Sequence, residues 1–131
     1  MVLNDLYAFA EQHDIDVDCM KLKTMQCVTL SLDGSNCIII DPFQLKSSID
    51  EMVKLAHEIG HCVTGSFYNE YSPLDIRAKH EHRADKWAIK KLIPEDELKN
   101  ALAFCINRYE LSEHFGVSED FMQKALDLYL Q

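Results

Sequence analysis

Long hydrophobic runs and linker-like stretches are scarce in this 131-residue sequence. It contains four glycines and three prolines and has neither an internal repeat nor a Gly-, Pro- or Ser-rich linker, so we expect one domain spanning residues 1–131. The apolar run Cys37–Ile40 is far too short to cross a membrane. Residues 1–10 lack the basic start and the long apolar run of a signal peptide, so we expect no secretory signal.

The sequence also lacks paired cysteine spacing. Its five cysteines are an odd number and no two have CxxC spacing, so neither a disulfide framework nor a four-cysteine zinc site is expected. The pattern suits a reducing compartment, and we expect a cytoplasmic location. The cysteines are Cys19, Cys27, Cys37, Cys62 and Cys105.

Positive charge is scarce as well. Thirteen basic residues stand against 22 acidic ones, which gives a formal net charge of −9. Such a charge repels a phosphate backbone, so we expect no direct binding to nucleic acid. The same charge favours a basic protein partner, although a role in solubility alone also explains it.

The first part of the chain predicts a helix followed by a β-hairpin. Leu3–Gln12 carries apolar residues at helical spacing. Val28–Leu32 alternates apolar and small polar residues as a half-buried strand does, and Asp33-Gly34 supplies turn chemistry. The β-branched run Cys37–Ile40 then predicts the returning strand.

The rest of the chain predicts helices, so the expected fold class is α+β. A helix with capping-box spacing at its start is expected from near Ile49 to Gly65. Another helix is expected over residues 77–92, and two shorter ones after Pro94 and Ser118.

The most informative segment is the HExxH motif His57-Glu58-Ile59-Gly60-His61. On a helix, residues four apart lie on nearly the same face, so both imidazoles reach one metal ion. Glu58 lies about 100° round the helix from His57, because a turn takes about 3.6 residues. It cannot easily bind the same ion, but it reaches a water molecule on that ion, which is the position of a general base.

A catalytic zinc ion commonly takes three protein ligands, so one more is needed. The next predicted helix carries Glu81, Ala84, Asp85 and Ala88 along one stripe. The carboxylate of Glu81 is the expected third ligand, and Asp85 is placed to accept the outer N–H of a ligating histidine. The alanines allow this helix to approach the HExxH helix closely.

The expected site is one Zn²⁺ ion held by His57, His61 and Glu81, with Glu58 as the general base. Manganese and iron are alternatives to zinc, because affinity order alone does not fix which ion is bound. A buried Glu–His network without metal is the alternative reading of the same residues. Gly60 costs about 1 kcal/mol relative to alanine inside a helix, which indicates that another backbone passes close to it.

Several stretches together resemble the ImmA/IrrE family of small metallopeptidases, whereas HExxH alone is shared by many unrelated peptidases. The HExxH motif is followed by a glutamate after nineteen intervening residues and an aspartate four residues later, which is similar to the thermolysin-like arrangement of metal ligands. The resemblance covers roughly residues 38–130. The matching stretches are Ile38-Ile39-Ile40-Asp41-Pro42, Leu55-Ala56-His57-Glu58-Ile59-Gly60-His61, Glu81-His82-Arg83-Ala84-Asp85-Lys86-Trp87-Ala88, Leu92-Ile93-Pro94 and Phe115-Gly116-Val117-Ser118.

The resemblance implies a small zincin-like domain, in which a short β-sheet or hairpin packs on the HExxH helix and on several further helices. It implies that His57, His61 and Glu81 bind the metal and that Glu58 is the catalytic acid. Members are often encoded on prophages and other mobile elements, and typical ones cut a helix-turn-helix repressor. The implied function is a zinc metalloendopeptidase with such a repressor as its protein substrate. Unlike longer members of the family, this sequence is expected to have no separate DNA-binding domain.

Substrate binding by such an enzyme requires an aligned peptide and a donor for the developing oxyanion. The strand Cys37–Asp41 is expected to form a sheet edge that pairs with an extended substrate. The oxyanion donor is left open among six residues. These candidates are Tyr68, Tyr71, His80, His82, Tyr109 and His114.

Two other hypotheses compete with the hypothesis that the chain is an enzyme. One is a regulator that keeps the metal and acts by binding a partner, and the other is a domain with structural zinc or no metal. An intact Glu58 favours the enzyme, because a binding module has no need of that acid. The segment Ser112–Tyr129 superficially resembles a helix-turn-helix, but its acidic charge is wrong for a major groove. We expect a packed helix pair or a docking surface there.

Overall fold

The structure, a computed structural model, describes residues 1–32, 34–68 and 71–130. Within those residues it contains six α-helices and a three-stranded sheet, which confirms the α+β class. The elements are α1 (Leu3–Gln12), β1 (Ile15–Cys19), β2 (Cys27–Leu32), β3 (Ser35–Ile40), a 3₁₀ turn (Pro42–Gln44), α2 (Ser48–Thr64), α3 (Leu74–Leu92), α4 (Glu95–Ala101), α5 (Arg108–Phe115) and α6 (Glu119–Tyr129). No helix in this described part is long and apolar enough to span a membrane.

The strand order in the sheet is β1-β3-β2, so β3 is the central strand. Strands β2 and β3 form the predicted antiparallel hairpin. Gly34 in its turn has a φ of +81°, and Asp33 of the predicted turn lies outside the described residues. Strand β1 was not predicted, and it pairs in parallel with β3. The expectation that Cys37–Asp41 forms a sheet edge is therefore wrong, because β1 and β2 occupy both sides of this strand.

Helix α2 carries the HExxH motif and contacts α1, the sheet and α3. Ser47 caps the helix by accepting a hydrogen bond from the Asp50 N–H at 3.2 Å, so α2 begins one residue earlier than predicted. It ends at Gly65 as predicted, where a φ of +65° places the chain in the left-handed region that favours glycine. The fully buried side chains of Leu55 and Ile59 anchor α2 in the core.

Helix α3 lies unusually close to α2. It begins at Leu74, three residues earlier than predicted. Leu74 is 79% exposed, so the first turn does not present an apolar face to the core, and an apolar stripe does not mark the start of the helix. A Cβ atom on Gly60 would lie only 2.7 Å from the carbonyl oxygen of Ala84. The close backbone approach predicted from Gly60 is thus confirmed, and it fixes α3 against the HExxH segment.

A buried carboxylate organises the chain around the start of β2. Asp41 is 3% exposed and accepts hydrogen bonds from the Leu22 N–H at 2.9 Å, the Phe43 N–H at 3.1 Å and the Gln44 side chain at 3.0 Å. The hydrogen bond from Leu22 is the main reason that the pKa of Asp41 lies below its ordinary value. Asp41 therefore ties the segment before β2 to the end of β3.

Helices α5 and α6 pack against each other as the predicted helix pair. Ser118 caps α6 by accepting a hydrogen bond from the Phe121 N–H at 3.2 Å. Farther along α6, Lys124 Nζ lies 3.4 Å from Asp85 Oδ2 on α3. This ion pair joins α6 to α3, which packs against the HExxH helix.

Candidate metal centre

The three predicted ligands converge between α2 and α3. His57 Nε2 lies 3.2 Å from His61 Nε2. Glu81 Oε2 lies 2.7 Å from His57 Nε2, and Glu81 Oε1 lies 3.3 Å from His61 Nε2. The fold therefore brings two imidazoles of one helix and a carboxylate of the next into a single cluster.

Each imidazole is oriented by an acceptor behind it. His57 Nδ1 lies 2.7 Å from Asp85 Oδ1, and His61 Nδ1 lies 2.5 Å from the backbone oxygen of Ser66. Carboxylate and carbonyl oxygens only accept, so each Nδ1 carries a proton, and in the neutral imidazole each Nε2 presents a lone pair. Two lone pairs and the Glu81 carboxylate then face one another, and only a cation or a shared proton between them removes the repulsion.

The charges of the cluster favour a positive group at this point. Burial lowers the pKa of His57, but the hydrogen bond and the charge of Asp85 raise it more, so the net pKa lies above its ordinary value. Burial raises the pKa of Glu81, but the hydrogen bond from Tyr68 and the two imidazoles outweigh that effect. Burial likewise raises the pKa of Asp85, and the hydrogen bond with His57 reverses the shift. Both carboxylates are therefore ionised at neutral pH.

This donor set fits a divalent metal ion. Ligand atoms about 2.0–2.1 Å from a tetrahedral zinc ion lie about 3.3 Å from one another. The separations of 3.2 Å between the two imidazole nitrogens and 3.3 Å between His61 and Glu81 agree with that value. The shorter 2.7 Å separation between His57 and Glu81 is that of a hydrogen bond. The cluster is compatible with a metal ion whose ligands are nitrogen and oxygen.

Glu58 lies beside the cluster and is not part of it. Its Oε2 accepts a hydrogen bond from the hydroxyl of Thr29 on β2. Its Oε1 lies 3.6 Å from Lys54 Nζ, one turn earlier on α2. The residue is 8% exposed, so the carboxylate is held largely out of bulk solvent while both oxygens stay clear of the ligand cluster.

The comparison with known families agrees with this geometry. The model of the M78 peptidases, described as the IrrE N-terminal-like domain, matches residues 10–127. The chain belongs to this peptidase family. The match confirms the resemblance to ImmA/IrrE proteins and includes the sheet, α2 and α3. No curated protein and no solved structure matches the chain significantly.

Two adjoining cavities border the cluster in this IrrE-like domain, and His57, Glu81 and Lys54 line both of them. One, of about 490 Å³, is bordered by α6. The other, of about 470 Å³, is bordered by β2 and by the segment that follows α2. Together they form a cleft that passes over the cluster and leaves room for a chain on both sides of it.

Of the six candidate oxyanion donors in the IrrE-like domain, Tyr68 is the one that lines this cleft among the described residues. Its hydroxyl donates a hydrogen bond to Glu81 Oε1 at 2.5 Å. That bond and burial raise the pKa of Tyr68 to about 12, so the phenol remains a donor at neutral pH. His80 stacks on the Tyr68 ring with the centroids 6.2 Å apart. The other five candidates are not among the described residues that line the cleft: Tyr71, His80, His82, Tyr109 and His114.

Strand β2 presents a free edge to the cleft. The Asp41 N–H donates to the Gln26 carbonyl at 2.9 Å. Antiparallel pairs alternate between bonded and non-bonded positions, so Val28 is also in the row bonded to β3. Thr29 is in the other row, and its own N–H and C=O point away from β3. No strand of the described residues pairs with that side.

The two edges of the sheet differ in charge. Strand β1 carries Asp16 and Asp18, whereas β2 contains no charged residue. Charged side chains on an edge strand commonly prevent it from pairing with other chains. The β1 edge is protected in this way, and the β2 edge beside the cluster is open to an added strand.

Sequence reasoning missed two residues that orient the site in the IrrE-like domain. The carbonyl of Ser66 holds His61, and the glycine stop at Gly65, four residues after the motif, was the signal that the chain turns back there. Thr29 holds Glu58 from the sheet. The alternating pattern of the strand indicated only which face of the sheet Thr29 occupies, because its partner Glu58 lies 29 residues away in the sequence.

Proposed function

We propose that this IrrE-like domain is a zinc-dependent endopeptidase. In this proposal His57, His61 and Glu81 hold one Zn²⁺ ion, Glu58 is the general base and Asp85 orients His57. The observation that carries the proposal is the convergence of two imidazole Nε2 atoms and a carboxylate beside a separate, largely buried glutamate. Such an arrangement of side chains has a direct use in peptide hydrolysis, and the chain belongs to a peptidase family.

Different residues of the cleft have different roles in the proposed hydrolysis. When bound, zinc would lower the pKa of a water ligand and polarise the scissile carbonyl. Glu58 accepts the proton of the attacking water and later donates it to the leaving amine. The hydroxyl of Tyr68 donates a hydrogen bond to the oxyanion that develops on the carbonyl oxygen.

The substrate binds in this proposal as an extended strand along β2. Support comes from the outward-facing backbone of Thr29, the uncharged edge and the cleft on both sides of the cluster. Addition of a strand to a free edge supplies backbone hydrogen bonds without a requirement for sequence. Side-chain contacts with the two cavities then select among peptides. The role that was assigned to Cys37–Asp41 thus passes to β2.

The substrate we propose is a helix-turn-helix repressor of a prophage or other mobile element, cut at one site in the cytoplasm. The ImmA/IrrE resemblance supports this choice. The net charge of −9 supports it as well, because a repressor that binds a phosphate backbone presents a basic surface. Cleavage would remove the repressor from its operator and switch genes on, although the peptidase itself touches no DNA.

The proposal is tested by mixing the zinc-loaded domain with the repressor encoded beside its gene and measuring intact masses over time. Glu58→Gln removes the general base and keeps the size of the side chain. We expect two discrete fragments with the native domain and a rate at least 100-fold lower with the variant.

Equal zinc content of the two proteins is the control, since Glu58 is not a proposed ligand. Cleavage at an unchanged rate by Glu58→Gln would refute the assigned base. Complex formation without fragments from either protein would favour a regulator that acts by binding.

A further inference from the structure

Thr29 connects the free edge of the sheet to the proposed general base. Its backbone N–H and C=O face the cleft, because Thr29 opposes Ile38 in the non-bonded row of the β2–β3 ladder. Its side chain points to α2, where the hydroxyl donates a hydrogen bond to Glu58 Oε2. One residue therefore contacts the base with its side chain and offers its backbone to a substrate strand.

The hydrogen bond from Thr29 differs in kind from the other contact of Glu58. Lys54 Nζ lies 3.6 Å from Glu58 Oε1, beyond hydrogen-bond distance, and the Lys54 side chain is 36% exposed. A threonine has a restricted χ1 angle, and here it sits on a strand that is fixed by its pairing with β3. Among the described residues, Thr29 is thus the rigid donor that can select one orientation of the flexible Glu58 side chain.

The hydroxyl group is not explained by folding. A β-strand position that faces the buried Ile38 suits any β-branched residue, and valine has nearly the same shape as threonine. The partner of the hydroxyl is Glu58. What threonine adds over valine at this position is therefore a donor to that carboxylate.

We propose that Thr29 is a positioning residue that holds Glu58 at a fixed distance from a substrate strand paired with β2. This inference rests on the proposed endopeptidase function. In this proposal the backbone of Thr29 aligns the substrate carbonyl and the hydroxyl of Thr29 aligns the base. Both are therefore positioned relative to the same Cα atom. Misplacement of a catalytic group by about 1 Å costs on the order of 100-fold in rate, so such a shared reference has a large effect.

The test compares Thr29→Val, which removes the hydroxyl and keeps the shape, with Thr29→Ser, which keeps the hydroxyl. Crystal structures of the zinc-loaded variants show where the Glu58 carboxylate lies. Steady-state kinetics with the intact repressor as substrate give kcat and KM. For Thr29→Val we expect a displaced or multiply oriented Glu58 and a kcat about tenfold lower, with KM changed by less than about twofold. For Thr29→Ser we expect the native orientation and a kcat within about threefold of the native value.

Melting temperatures and zinc contents show whether either variant is misfolded. An unchanged Glu58 position in Thr29→Val would overturn the inference whatever the activity, and so would an equal loss of kcat in both variants. A native protein that cleaves no repressor would count against the proposed function, whereas the crystal structures would still decide whether Thr29 positions Glu58.

Discussion

The two histidines of the cluster are oriented by different kinds of acceptor. His57 donates to the carboxylate of Asp85 on another helix, whereas His61 donates to a backbone carbonyl just beyond its own helix. A carboxylate increases the basicity of an imidazole more than a carbonyl does. In the proposed metal site, His57 would therefore be the stronger ligand of the two histidines.

Tyr68 offers a sharp prediction at this scale. Replacement of Tyr68 by phenylalanine removes the hydroxyl that we assign to the oxyanion and retains the ring that contacts His61 and His80. We expect kcat to fall by about 10²-fold with a small change in KM, as for loss of one oxyanion donor. The measurement is steady-state cleavage of the repressor by intact mass or a fluorescent label.

Tyr109→Phe is the matched control, because the Tyr109 hydroxyl also donates to a glutamate, Glu113, at 2.5 Å on the surface of α5. It should leave kcat unchanged. If Tyr68→Phe lowers zinc affinity and retains kcat at saturating zinc, the hydroxyl supports Glu81 and does not act on the substrate.

Sequence patterns predicted the cluster better than its surroundings. His57 and His61 follow from helical periodicity, because residues four apart lie on one face of a helix, and Glu81 lies on the stripe that periodicity predicts for the next helix. The contacts of Thr29 and Tyr68 cross from a strand or a loop to a helix. Such contacts depend on how elements pack, which no local spacing encodes. The six candidates for the oxyanion donor could therefore be reduced to one only with the fold known.

At the scale of elements, the approach of α3 to α2 sets the position of Glu81. Gly60→Ala raises helix propensity by about 1 kcal/mol, but the added methyl group would lie 2.7 Å from the Ala84 carbonyl oxygen. The helices must then move apart, and overpacking of this kind costs about 1–3 kcal/mol. We expect a lower melting temperature and a weaker zinc affinity, measured by competition with a chelator.

Val63→Ala is the control for this change. It lies on the same helix, is 43% exposed and also raises helix propensity, but it adds no atom to the contact with α3. It should leave zinc affinity unchanged. Equal zinc affinity in Gly60→Ala and the native domain would show that α3 can move without carrying Glu81 away.

The sheet shows why strand order was harder to predict than strands. The β2–β3 hairpin is local and has a turn signal, so alternation identified β2 and a β-branched run identified β3. Strand β1 contains Asp16 and Asp18, and aspartate is depleted in strands. It pairs in parallel with β3, so no hairpin turn in the sequence indicates this pairing. Once β1 is missed, β3 seems to have a free side, and the edge is assigned to the wrong strand.

For the whole molecule, a metal ion in the cluster would act as a cross-link between α2 and α3. A ligand that binds only the folded state adds about 2.7 kcal/mol of stability at 100 times its Kd. We expect saturating zinc to raise the melting temperature by several degrees and a chelator to reverse the rise, as measured by calorimetry.

Glu81→Ala should remove most of this zinc-dependent rise, since it deletes the ligand that α3 supplies. Asp50→Ala on the same cleft is the comparison, because Asp50 lines the cavity and is not in the cluster. An unchanged melting temperature of the native domain at saturating zinc would contradict a metal-bound folded state.

The contact between Gly60 and Ala84 also limits how this sequence can drift over generations. No residue is smaller than glycine, and the atoms that a Cβ would meet belong to the backbone of residue 84, which every amino acid possesses. A second mutation at residue 84 therefore cannot restore the lost space. Among descendants of this chain, we therefore expect glycine to persist at position 60 wherever α3 keeps Glu81 beside the two histidines.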